Sequence, residues 1–121
     1  MKWDLKQICD VLNANIETID AEPQNQYMLW FSDNYLKFYL YIQPESESVM
    51  LAADPINPEG MPLIEYSFNC NIIKIIDSPY DKKTKAIYFY EDKESGDGVR
   101  LAMNLRHDGN WYIWCNTWQK Q

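Results

Sequence analysis

One histidine, three cysteines and eleven basic residues against eighteen acidic ones define what this 121-residue chain lacks. The lone His107 has no second imidazole with which to share a metal, and Cys9, Cys70 and Cys115 are too dispersed for ligand spacing. No C-x-x-C pair occurs. Each thiol sits in an apolar run, where cysteine behaves as a small buried hydrophobe, so reduced thiols and a reducing compartment are expected. No stretch approaches the ~20 apolar residues of a membrane span, and Met1-Lys2-Trp3-Asp4 lacks a signal-peptide core. The location expected is cytoplasmic. The net charge of −7 repels phosphate backbones and anionic headgroups, so neither nucleic acid nor a membrane surface is expected as a partner. Gly96-Asp97-Gly98 lacks the downstream spacing of a phosphate-cradling loop and reads as a hairpin turn. No cofactor or metal is expected, and no catalytic residue is assigned.

What is present is aromatic and alternating. Nine Tyr, five Trp and four Phe bring the aromatic share to 15%, an excess that suits a pleated surface. From Tyr35 to Ile42 the even positions are Leu36, Phe38, Leu40 and Ile42, and the odd ones Tyr35, Lys37, Tyr39 and Tyr41. Successive strand side chains point to opposite faces, so one face of this strand is aliphatic and the other phenolic. The same sorting recurs at Ala86–Glu91, at Val99–Arg106, and at Trp111–Trp118, where Trp111, Ile113 and Cys115 oppose Tyr112, Trp114, Asn116 and Trp118.

Leu5, Ile8, Cys9 and Leu12 form one helical stripe, Asp4 can cap its start, and Asn13 and Asn15 suit its exit, predicting a helix over Leu5 to Ala14. The remaining segments read as strands at Tyr27–Phe31, Tyr35–Ile42, Val49–Ala53, Leu63–Phe68 and Asn71–Ile76, then the three alternating ones above, with a weaker candidate at Ile16–Ile19. Asp54 to Pro62 holds three prolines and a glycine and is expected to be the longest loop, with Ile56 and Met61 tucked over a sheet end.

The fold class expected is α+β: one domain over residues 1–121, an N-terminal helix packed on an antiparallel meander of seven to eight strands. A ten-residue helix is ~15 Å long. Seven strands at ~4.8 Å spacing span more than ~30 Å. One helix cannot cover that aliphatic face. The sheet is therefore expected to bend strongly into a partial or closed barrel, with homodimerisation as the other way to cover the remainder. In size, charge and element order the chain is similar to secretion chaperones and toxin-neutralising immunity proteins. The further helices expected of the chaperones are missing, and no residue is carried across.

The candidate site is the aromatic parity: Tyr35, Tyr39, Tyr41, Tyr88, Tyr90, Tyr112, Trp114 and Trp118. Phenol and indole rings offer wide contact area with one polar handle, which suits a protein-binding face; cross-strand ring pairing for stability is the plainer explanation. Glu65 and Glu91 could do acid–base work only if they faced each other. His107-Asp108-Gly109 reads as a turn, although Cys115 could approach it. Asp81-Lys82-Lys83-Thr84-Lys85, with Lys74 nearby, reads as a solvated basic turn. The function expected is a non-enzymatic binding module that contacts a protein partner through aromatic rings. The alternative is a small-ligand carrier with a pocket inside a bent sheet.

Overall fold

The N-terminal stripe does form a helix, α1 (Leu5–Leu12), in the computed structural model, which describes residues 1–20, 26–56, 64–78, 84–91, 98–105 and 109–115. The Gln7 N–H donates to Asp4 Oδ1 at 3.1 Å, satisfying a first-turn amide. Asn13, at φ 51°, takes the left-handed conformation that stops the helix at Leu12, short of the expected Ala14. Ile8 and Leu12 are buried in the core, while Leu5 and Cys9 flank it half-exposed.

Nine strands follow among the described residues: β1 (Asn15–Asp20), β2 (Gln26–Ser32), β3 (Leu36–Gln43), β4 (Ser48–Pro55), β5 (Ile64–Asn69), β6 (Ile72–Asp77), β7 (Lys85–Tyr90), β8 (Val99–Leu105) and β9 (Trp111–Cys115). All neighbouring strands pair antiparallel, in the order β1-β2-β3-β4-β5 in one sheet and β6-β7-β8-β9 in the other. Two expectations need correction. The strand count exceeds seven to eight, because the weak candidate at Ile16–Ile19 is a full strand laddered to β2. The meander does not close into a barrel: it breaks into two sheets that share one core.

The break comes at Cys70-Asn71. The Cys70 N–H donates to the Glu47 carbonyl at 2.8 Å, and the Asn71 N–H donates to the Tyr90 carbonyl at 3.0 Å. The first bond ties the link to the β3–β4 turn, where Glu47 sits at φ 50°; the second ties it to the end of β7. The chain leaves one sheet and enters the other within two residues, and each sheet covers the other's aliphatic side. Phe31, Phe38, Leu40, Ile42, Val49, Leu51 and Phe68 from the first sheet share one buried cluster with Ile73, Ile87, Phe89, Leu101 and Met103 from the second. Ring contacts join the layers: Phe68 meets Phe89 edge-on at 5.9 Å, and Phe31 meets Trp111 at 5.9 Å.

The N-terminal segment bridges the layers. Lys2 pairs in parallel with Ile72 on β6, and the Trp3 ring meets Tyr27 on β2 at 5.4 Å. At the far end Asp33 acts as a clip. Its Oδ1 accepts from the Tyr35 and Leu36 amides, each at 2.8 Å, and its Oδ2 accepts from the Trp111 amide at 3.1 Å. Asn110 Oδ1 adds a bond from the Asn34 amide at 3.2 Å.

Two local details bear on the expected loops. β4 continues to Pro55, paired with Leu36, so regular structure enters the proline-rich segment expected to be irregular. This is tolerated because the β5 ladder reaches β4 only as far as Ala53, so no donor is demanded of Pro55 on that side. Beyond Ile56, that segment lies outside the described residues through position 63. Gly98 faces Glu91 so closely that a Cβ there would overlap the Glu91 carbonyl oxygen, and the Glu91 amide donates to the Gly98 carbonyl at 2.8 Å.

Candidate functional site

Because the two sheets press their aliphatic sides together, the aromatic parity emerges on two opposite outer faces rather than one. Tyr39 and Tyr41 lie on the outer face of the first sheet. Tyr88, Tyr90, Tyr112 and Trp114 lie on the outer face of the second. Tyr35 immediately precedes β3, and its carbonyl accepts from the Ile56 amide at 3.1 Å. The Asp33 carboxylate draws the Tyr35 and Leu36 amides into a turn, so β3 starts at Leu36 and Tyr35 stands free at 71% exposure. Trp118 and His107 lie outside the described residues.

On the first face the ladder aligns Trp30, Tyr39, Ala52 and Glu65 in one row and Met28, Tyr41, Met50 and Ser67 in the next. Lys37 Nζ lies 5.2 Å from the Trp30 ring centroid and 5.4 Å from that of Tyr39, although Asp54 is its cross-strand partner. Asp54 Oδ1 has no hydrogen-bond partner. The ammonium is held by ring quadrupoles. Sequence reasoning missed Trp30, Met28 and Met50 as members of this face. The signal was available: on β2 the even positions, Met28 and Trp30, alternate with buried Leu29 and Phe31.

On the second face one row reads Lys74, Tyr88, Ala102, Trp114, and the next Ile76, Ala86, Asn104, Tyr112. Ala86, Ala102 and Asn104 are buried despite facing outward, so alternation on β8 does not translate into alternating exposure. Small floor residues sit between large rings, and Tyr88 and Tyr90 stand with centroids 6.3 Å apart. Asn104, 3% exposed, leaves Oδ1 without a hydrogen-bond partner, and Arg100 leaves Nε in the same state while Nη1 lies 3.6 Å from Glu91 Oε1. Unpaired buried polar atoms of this kind are uncommon in folded proteins. On the edge strand β9, Tyr112 at 43% and Trp114 at 46% are, among the described residues, the large rings most open to solvent on either face.

The remaining candidates disperse. Glu65 is exposed on the first sheet, whereas Glu91 follows β7 in the second and pairs with Arg100. Of the basic cluster, Lys85 pairs with Asp77 across β6–β7, Lys74 Nζ lies over the Tyr90 ring at 5.3 Å, and positions 81–83 are outside the described residues. Among the described residues no group of three His, Cys, Asp or Glu could hold a metal ion, and no helix is long and apolar enough to cross a membrane.

All three cysteines are free thiols. Burial pushes the Cys70 thiol up to about 11; Glu47 and Glu91 add to this, against hydrogen bonds with the backbone of Ile72 and Tyr90. Cys9 and Cys115 are also raised by burial, Cys9 further by Asp10. A value raised in the fold means that the protonated Cys70 thiol stabilises the protein fully below the unfolded value of 9.0. That contribution is lost as pH rises through about 11. Cys70 should therefore resist iodoacetamide at pH 8 in the native protein and react once guanidinium unfolds it. Mass spectrometry of the tryptic peptide checks this, and rapid labelling under native conditions would contradict it.

Comparison of this chain with protein-family models, with curated proteins and with solved structures finds no match.

Proposed function

We propose that this chain is a non-enzymatic interaction module that docks a protein partner on the outer face of its second sheet, with Trp114 as the anchor. The observation that carries this reading is the exposure of Trp114 and Tyr112 beside the small floor formed by Ala102 and Asn104. A tryptophan on a rigid strand covers much partner surface while losing little side-chain freedom, and Trp and Tyr dominate the energetics of protein interfaces. The net charge of −7 favours a partner of the opposite sign. The carrier alternative placed a pocket inside the sheet. Here the inward side chains Phe38, Leu40, Phe89, Leu101 and Met103 are all fully buried against one another.

The test is a photo-crosslinking amino acid at position 112, introduced in the cells that make this protein. The reading expects one discrete adduct, lost in Trp114→Ala, with affinity for the identified partner falling about 30-fold, equivalent to roughly 2 kcal/mol. Trp114→Ala should leave the melting temperature nearly unchanged, because the ring is half open to water. The absence of any discrete adduct, or one that survives the substitution, would remove the proposal.

A further inference from the structure

The outer face of the first sheet carries a depression of about 340 Å³ lined by Gln26, Tyr41, Gln43, Ser48, Val49, Met50 and Ser67. It lies within the range of small-ligand pockets, roughly 300–1,000 Å³. The ladder explains its shape. Tyr41, Met50 and Ser67 form one cross-strand row, and Gln43, Ser48 and Asn69 the next, beside the Pro44–Glu47 turn. Among the described residues its lining carries no charged side chain, although the protein is strongly acidic.

Two of its polar groups, Gln43 and Ser48, are held in a hydrogen-bond network with Ser46. Gln43 Oε1 accepts from Ser48 Oγ at 2.9 Å and lies 3.1 Å from Ser46 Oγ, and the two hydroxyls stand 2.8 Å apart. That network spends the amide oxygen on the serines and turns Nε2, with its two hydrogens, to the other side. The Gln26 amide and the Ser67 and Tyr41 hydroxyls add groups that both donate and accept. A phenol ring and a thioether supply apolar surface alongside them.

We infer that this depression binds an uncharged sugar ring. A sugar offers adjacent hydroxyls that donate and accept together, which matches neutral amides and hydroxyls. It also offers a C–H face that can lie on Tyr41. Among the described lining residues an anionic ligand would find no cation, and a cation would find no carboxylate. The site lies on the opposite outer face from Trp114 and does not depend on the protein-docking reading.

The experiment is an NMR titration of the labelled full chain with three neutral probes, methyl glucoside, methyl galactoside and N-acetylglucosamine, each to ~50 mM, since small polar ligands bind weakly. The result expected is that at least one probe shifts the signals of Tyr41, Gln43, Ser48, Met50 and Ser67 together and saturably. Gln43→Ala should weaken that probe about 10-fold. Ser67→Arg, at an exposed position, should block it by filling the depression while the remaining spectrum stays native. No saturable shift with any probe, shifts scattered over the surface, or shifts that persist in Ser67→Arg would each overturn the inference.

Discussion

Replacing Asp33 by alanine should lower stability by about 3 kcal/mol, seen as a fall of roughly 10 °C in melting temperature. One carboxylate accepts from three backbone amides, those of Tyr35, Leu36 and Trp111, across a separation of 78 residues. Two of those bonds set the β2–β3 turn, and the third fastens the start of β9 in the other sheet. Alanine leaves all three donors to find water where the Leu36 and Trp111 bonds are only partly accessible. Asp33→Asn separates the roles. Its amide oxygen can still hold the turn, but its NH₂ meets the Trp111 N–H donor to donor. An intermediate loss is expected, with hydrogen exchange accelerated in β9 and near normal in the turn. Equal losses for Ala and Asn would show that the inter-sheet bond carries the whole effect.

Phe89→Ala should be more damaging still, about 4 kcal/mol, because it removes a fully buried ring and leaves a cavity between the layers. Phe89 touches Phe68 edge-on, and Phe68 stacks on Tyr66 at 5.0 Å, so the loss reaches into the first sheet. Chemical unfolding of Phe89→Leu, expected to lose only about 1–2 kcal/mol, keeps the measurement possible if the alanine variant does not fold. A double-mutant cycle of Phe68→Leu with Phe89→Leu should give a coupling near 1 kcal/mol. Strict additivity would mean that the two layers do not stabilise each other through this ring pair.

The parity of β3 was legible in sequence because a half-buried strand must sort its side chains by period two. Phe38, Leu40 and Ile42 are indeed buried, and Tyr39 and Tyr41 look outward. The helix was legible for the same kind of reason, in its stripe and its Asp4 cap. Also legible was that one short helix cannot cover so wide an aliphatic face. The way the molecule meets that demand was not. The sheet splits at Cys70-Asn71, a pair without glycine or proline, and what makes the crossover is two amides donating to carbonyls of Glu47 and Tyr90. Those partners are distant in sequence, and no local pattern names them. The candidate site was legible as a set of outward rings and illegible as a place. Parity assigns each ring to a side of its strand, but which strands share a sheet is a tertiary decision. β3 begins one residue later than the alternation suggests, at Leu36, where the Asp33 carboxylate holds the Tyr35 and Leu36 amides in a turn. Ala102 and Asn104 are buried on an outward face because their neighbours are large, a fact of cross-strand context.

The layered arrangement carries a consequence for stoichiometry. Tyr41 and Trp114 look out from opposite broad sides, with the whole thickness of the protein between them. No compact occupant can touch both. An occupant on one side therefore leaves the other open, and filling both would take two separate guests.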